Sequence, residues 1–177
     1  DSSSIIGLVE RAGRFIQLLD LEHVLADLDP TAAEGSWKTS VRAGEAYTAL
    51  VADDSATIRS MLRNNLEAAN FRVEMTANGA EALERLTAIK AEARDRGVAV
   101  GEMLDVLISD IEMPLMDGFS LAKAVKSDPQ LSALPVILYS SIITDELRHK
   151  GESVGADAQV AKPDLDQMAR KAIDLIE

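Results

Sequence analysis

Polar residues stand at the carboxyl ends of several short apolar runs. Asp53-Asp54 follows Ala49–Ala52, Asp110 follows Val106–Ile108, Ser140 closes the run that starts at Pro135, and Lys162 follows Ala158–Ala161. Singly, each has an ordinary explanation. An Asp-Asp pair ahead of a helix serves as an N-cap with a favourable dipole partner. Lys162-Pro163 suits a turn, and Ser140 is a hydroxyl at a strand end. Together they point to chemistry. Three carboxylates converging on one crevice repel one another unless a cation or a raised pKa relieves them. An all-oxygen cluster suits a hard divalent ion, and Mg2+ takes one or two carboxylates plus waters and substrate phosphates. An ammonium and a hydroxyl on the far side would hold the remaining phosphoryl oxygens. The set reads as a phosphoryl-accepting site with a carboxylate nucleophile at its centre. Asp110 is the nucleophile candidate, because its strand is central and flanked by both groups.

Convergence depends on the elements that carry these residues. From Tyr47 onward strands alternate with helices. Ser55 is a natural N-cap for a helix whose apolar stripe is Ile58, Met61, Leu62, Leu66 and Ala69. Phe71–Ala77 alternates as a second strand, and Asn78-Gly79 punctuates it. Ala80–Arg96 is rich in helix formers and stops at Gly97. Val106–Ile108 is the third strand, residues 111–118 (IEMPLMDG) a loop, and Phe119–Lys126 a helix. Pro135–Tyr139, a helix over Thr144–Val154, Ala158–Ala161 and a helix over Leu165–Ile176 complete the series. Five such β/α repeats predict an α/β fold, a doubly wound five-stranded parallel sheet with helices on both faces. With strand order 2-1-3-4-5, the binding crevice lies at the carboxyl ends of strands 1 and 3.

The first 28 residues differ. Ile5–Val9 and Phe15–Leu19 flank Gly13 as a β-hairpin, and Leu21–Leu28 reads as a short helix between Asp20 and Asp29-Pro30. A lone hairpin and helix make a marginal folding unit, so this reads as the end of something larger. Asp1 opens the chain without methionine, as a fragment would. Residues 29–46, small and polar, read as a linker, with Trp37 large enough to dock.

Composition sets limits on function. Of 177 residues, 30 are acidic and 18 basic, giving a net charge of −12. That excess disfavours nonspecific nucleic-acid binding and anionic lipid surfaces. With no cysteine, disulfides, thiolate metal sites and thiol catalysis are excluded. No apolar run reaches the roughly 18 residues of a membrane span, and no signal peptide is visible, so the expected location is the cytoplasm.

From Tyr47 to Glu177 the chain resembles the receiver domain of two-component response regulators. The family's acidic pair matches Asp53-Asp54, its phosphoacceptor Asp110 within SDIEMPLMDG, its strand-4 hydroxyl Ser140, and its lysine Lys162 within AKP. The resemblance implies phosphorylation of Asp110 by a histidine kinase of the CheA type. It implies Mg2+ held by Asp53, Asp54 and Asp110 with the backbone carbonyl of Glu112, and no catalysis beyond the domain's own phosphotransfer and dephosphorylation. The stretch IIGLVERAGRFIQLLDLEHVL looks like the end of a CheW-like coupling domain. A CheW-like domain ahead of a receiver is the arrangement of CheV chemotaxis proteins, which implies a chemoreceptor array as partner. On this reading residues 1–28 are the coupling-domain fragment, 29–46 the linker and 47–177 the receiver. The truncated hairpin is expected to pack on the receiver or on another copy of the chain, since its edges are otherwise exposed.

Two departures from the family bear on mechanism. Gln159 stands where many receivers carry an aromatic that swings inward with the strand-4 hydroxyl. Glu112 lies two residues after the acceptor, where it is expected to alter metal affinity and hydrolysis. The enzyme alternative is an aspartyl-phosphate phosphatase of haloacid-dehalogenase type, which places its nucleophile in an Asp-x-Asp spacing on strand 1; here Asp53 and Asp54 are adjacent. A flavin-binding module fits worse, because Asp53 and Asp54 repel a phosphate at Ser55 and Thr57. A receiver acting only as a scaffold is a further alternative. His23 and His149 carry no catalytic spacing, Met61, Met75 and Met103 read as core filler, and Met113 and Met116 as packing for the acceptor loop.

Overall fold

The apolar runs read as strands pair into sheets. In the computed structural model the described residues are 5–11, 14–19, 41–142, 144–162 and 165–177. The chain divides into two compact units, residues 1–37 and 38–177. In the first, β1 (Ile5–Arg11) pairs antiparallel with β2 (Arg14–Leu19), with Glu10 opposite Phe15 and Arg11 opposite Arg14. This is the expected hairpin. The helix expected over Leu21–Leu28, and the linker as far as residue 40, lie outside the described residues.

The second unit contains β3 (Tyr47–Ala52), β4 (Phe71–Thr76), β5 (Val106–Asp110), β6 (Val136–Ser140) and β7 (Ala158–Ala161). Their order is β4-β3-β5-β6-β7, every neighbour parallel, which is the doubly wound 2-1-3-4-5 sheet. The helices are α1 (Ala56–Ala68), α2 (Gly79–Arg96), α3 (Gly118–Ser127), α4 (Asp145–Ser153) and α5 (Leu165–Ile176), with a 3-10 turn at Val100–Glu102. Their starts are chemically marked. Ser55, Asn78, Asp117 and Thr144 each accept a hydrogen bond from the backbone N–H three residues on, satisfying an otherwise orphan donor. At its far end α2 stops on Gly97, whose φ of 70° suits glycine.

Alternation along the strands divides the core into two layers. Leu50, Ala52, Leu107 and Leu138 face Leu86 and Ile89 of α2 and Leu121 and Val125 of α3. Val51, Ile108, Ile137 and Tyr139 face Leu62 and Leu66 of α1 and Met168, Ala169 and Ala172 of α5. Each fully buried aliphatic side chain contributes about 1.5–3 kcal/mol, so these layers hold the strand ends at fixed spacing. In α1 the buried positions are Leu62, Asn65 and Leu66, while Ile58 and Met61 are half-buried. The predicted stripe is thus rotated toward Asn65, whose amide finds no partner among the described residues. The end of the segment read as linker is docked on this unit. Ala43 is buried and donates its N–H to the Ala69 carbonyl at 3.1 Å, and Asn70 Nδ2 donates to the Glu45 carbonyl at 2.8 Å.

Candidate functional site

The carboxyl edge of the five-stranded sheet gathers the predicted polar residues. Asp53 follows β3 and is fully buried; its N–H donates to the Thr76 carbonyl at 3.2 Å. Its Oδ1 accepts the Ser55 N–H at 2.7 Å, and its carbonyl accepts Nη1 of Arg59 at 2.7 Å. Asp110 is the last residue of β5, and like Ser140, the last of β6, it is buried. Lys162 follows β7 and is tied to β6 by its N–H, which donates to the Ser140 carbonyl at 2.9 Å. Its Nζ lies 3.2 Å from Asp53 Oδ2 and 3.1 Å from Asp110 Oδ2. Asp53, Asp54 and Asp110 each offer a carboxylate oxygen within 4.8 Å of the others, Asp54 being the exposed member. Such a set, hard oxygen donors with an open side, could hold a small divalent cation.

Ser140 and Glu112 stand differently. Asp110 is level with Tyr139 in the β5–β6 register, so Ser140 lies one residue beyond it. The Ser140 hydroxyl accepts the Ile142 N–H at 3.2 Å, so it is engaged with its own loop. Glu112 is exposed and outside the carboxylate cluster; its described contact is a backbone N–H donated to the Asp110 carboxylate.

Electrostatics follow from burial. Desolvation pushes the Asp110 carboxyl up, the Lys162 ammonium pulls it down and Asp53 pushes it up again, leaving it at about 6. Burial works to depress Lys162, but Asp53 and Asp110 outweigh it and its pKa lies above the ordinary value. Here the repulsion anticipated among the carboxylates is relieved by both routes, a cation bridging two of them and a raised pKa on one.

Four contributors escaped the sequence reading. Tyr139, read only as a strand residue, donates its hydroxyl to Asp53 Oδ2, and Lys162 Nζ lies 4.7 Å from the centroid of its ring. Its signal was a phenol within an otherwise aliphatic strand. Arg59 holds the Asp53 backbone from one turn inside α1, and no local pattern marks it. Two glycines shape the 111–118 loop: a Cβ on Gly118 would lie 2.1 Å from the Asp110 carbonyl oxygen, and one on Gly79 2.5 Å from the Met116 carbonyl oxygen. Met113 and Met116 pack beside this loop against the first core layer, as expected. Gln159 Nε2 donates to the Arg148 carbonyl of α4 at 2.8 Å, where the family's aromatic would have to move.

Comparison with known proteins agrees with this geometry. The sequence matches the response regulator receiver domain over residues 49–173. It is 28% identical to chemotaxis protein CheV3 of Helicobacter pylori over 160 residues, covering 90% of this chain and 50% of that protein. Chemotaxis protein CheV2 of the same organism is 31% identical over 156 residues, covering 86% of this chain and 47% of that protein. The chain spans about half the length of these curated relatives. Among solved structures, chemotaxis protein CheY4 of Vibrio cholerae superposes with a TM-score of 0.60 at 32% identity, over 75% of this chain and 99% of that one.

Proposed function

The chain belongs to the response regulator receiver domain family, and on that premise we propose that it accepts a phosphoryl group on Asp110 from a histidine kinase and thereby switches a chemotaxis coupling interaction. One observation carries this reading: a buried strand-end carboxylate, Asp110, bridged to Asp53 by Lys162 and grouped with Asp53 and Asp54. With its pKa at about 6, Asp110 is mostly ionised near pH 7 and available as a nucleophile. Its carboxylate oxygen forms the new O–P bond as the N–P bond to a phosphohistidine breaks, and the imidazole leaves with the electron pair. Lys162 offers an ammonium to the charge gathering on the phosphoryl oxygens. The Ser140 hydroxyl, which accepts the Ile142 N–H, still has its own proton to donate there.

Mg2+ is the proposed cofactor, held by Asp53, Asp54 and Asp110 with the backbone of Glu112. It would supply neutralisation of phosphoryl charge. The domain is not read as a turnover enzyme, since its chemistry ends on its own side chain. The adaptor part of the reading draws on the relatives. The matches to CheV3 and CheV2 run over 160 and 156 residues, more than the receiver match occupies, and so take in sequence ahead of it. A CheW-like remnant at residues 1–28, a CheA-like kinase, a chemoreceptor array, self-association through the remnant and a cytoplasmic location are all proposed on that basis. No described helix is long and apolar enough to cross a membrane.

The test is labelling by a phosphorylated histidine kinase or acetyl phosphate. Mg2+-dependent incorporation is expected in the native chain and none in Asp110→Asn. Labelling that survives the substitution overturns the assignment. Sustained turnover of a phosphomonoester instead points to the phosphatase alternative.

A further inference from the structure

Tyr139 occupies the position just before Ser140 and is 2% exposed, with its ring in the core layer under α1 and α5. The packing there needs only an apolar side chain of suitable size. A buried phenol hydroxyl must find a partner. What distinguishes this one is its partner: the hydroxyl donates to Oδ2 of Asp53, a carboxylate of the acidic cluster. The same Oδ2 takes Lys162 Nζ at 3.2 Å, and that ammonium stands 4.7 Å from the centroid of the Tyr139 ring. One side chain therefore touches both charged groups, hydroxyl to carboxylate and ring face to ammonium. The other oxygen of Asp53, Oδ1, accepts the Ser55 N–H at 2.7 Å. With a donor on each oxygen, the Asp53 carboxylate has a fixed plane before any ligand arrives.

We propose that Tyr139 is a positioning residue of the phosphoacceptor site, orienting Asp53 as a cation ligand through its hydroxyl and seating Lys162 on its ring. The inference rests on the metal-assisted phosphoacceptor reading above. Partners of this kind around a metal ligand typically control affinity by 10–100-fold.

The test measures Mg2+ binding to the full chain by calorimetry, without phosphodonor. Tyr139→Phe keeps the ring and loses the hydroxyl, so Mg2+ affinity is expected to fall by about tenfold or more. Labelling of that variant is expected to need correspondingly more Mg2+, while its rate at saturating Mg2+ stays near the native value. Equal affinity in the two proteins overturns the proposal and leaves the phosphoacceptor reading intact. A native chain that binds no Mg2+ overturns both. A second measurement covers a variant that fails to fold. The chain has two tyrosines, Tyr47 and Tyr139. With tyrosine labelled at 13Cζ, native protein gives two resonances, assigned through Tyr47→Phe. Saturating Mg2+ is expected to shift the Tyr139 resonance and leave that of Tyr47 in place; an unmoved Tyr139 resonance overturns the proposal.

Discussion

Helices α2 and α4 pack against the same core layer and are held very differently. Over its 18 residues α2 buries Gly79, Ala82, Leu86, Ile89 and Ala93, and its first residue meets the 111–118 loop through the Gly79 N–H and the Met116 carbonyl, 3.3 Å apart. Over nine residues α4 buries only Gly151. Its described ties to the sheet are half-buried Leu147 and the Gln159 amide that donates to Arg148. Elements with few buried apolar contacts open at low free-energy cost, whereas densely packed ones open only with the whole domain. The Asp110 side is thus built to stay still, and the α4–β7 side to yield. That asymmetry is what a receiver needs: chemistry requires fixed carboxylates, while a changed output surface requires an element that can shift.

Two glycines give the sharpest way to break this contrast. An alanine methyl at Gly118 would meet the Asp110 and Ile111 backbone at 2.1–3.0 Å, which cannot swing aside. Gly118→Ala should lower stability by at least about 3 kcal/mol in urea unfolding. At Gly151 the obstacle is the Gln159 side chain, from 2.4 Å, and a side chain can rotate away. Gly151→Ala should cost about 1 kcal/mol or less, since alanine also favours the helix. Equal losses at the two sites would remove the distinction between the two sides.

Leucine truncations ask the same question of the helices. Leu86→Ala, at a fully buried position of α2, should cost about 2–5 kcal/mol. Leu147→Ala on α4 is expected to cost about 1 kcal/mol. A penalty at Leu147 matching that at Leu86 would mean α4 is as firmly packed as α2.

The pH dependence probes the still side alone. Asp110 has a folded pKa of about 6, above the ordinary value, so the native state holds its proton more tightly than the unfolded chain. The resulting stabilisation is present below about pH 4 and is lost as pH rises through about 6. Asp110→Asn lacks this loss. Its stability relative to the native chain should therefore rise by about 2 kcal/mol between pH 4 and 7, after allowance for solvent screening. A flat difference in urea midpoints across that range would refute the buried-charge account. The smallest effect is expected on the outer surface of α4. His149 is exposed and 3.5 Å from exposed Glu152, so His149→Ala should change stability by no more than about 0.5 kcal/mol.

Much of this architecture was legible in the sequence because its signals are local. Strand runs ending in Asp, Ser or Lys, the cap at Ser55 and the stop at Gly97 are set by neighbouring residues, and alternation of β and α fixed the sheet class. Asp53, Asp54, Asp110, Ser140 and Lys162 stand at or just after strand ends, where their positions in the sequence put them. What escaped was long-range or rotational. Asn65 joined Leu62 and Leu66 at the buried positions of α1 while Ile58 and Met61 are half-buried, because a helix stripe is placed by the surface it meets and not by periodicity alone. Residues 41–46 read as linker from their composition, yet Ala43 and Glu45 bond to Ala69 and Asn70 across the fold.

The sequence by itself determined the β/α order, the helix boundaries and the inventory of carboxylates, hydroxyl and ammonium, since propensity, capping and hydrophobic period act over a few residues. Only the tertiary structure decided how that inventory is wired. It placed Lys162 between Asp53 and Asp110, separated in sequence by 109 and 52 positions. It turned the Tyr139 hydroxyl onto Asp53, raised Asp110 through burial, and tied Gln159 to α4. These are properties of distance and desolvation between strands that meet only after the sheet has formed, so no window of sequence contains them.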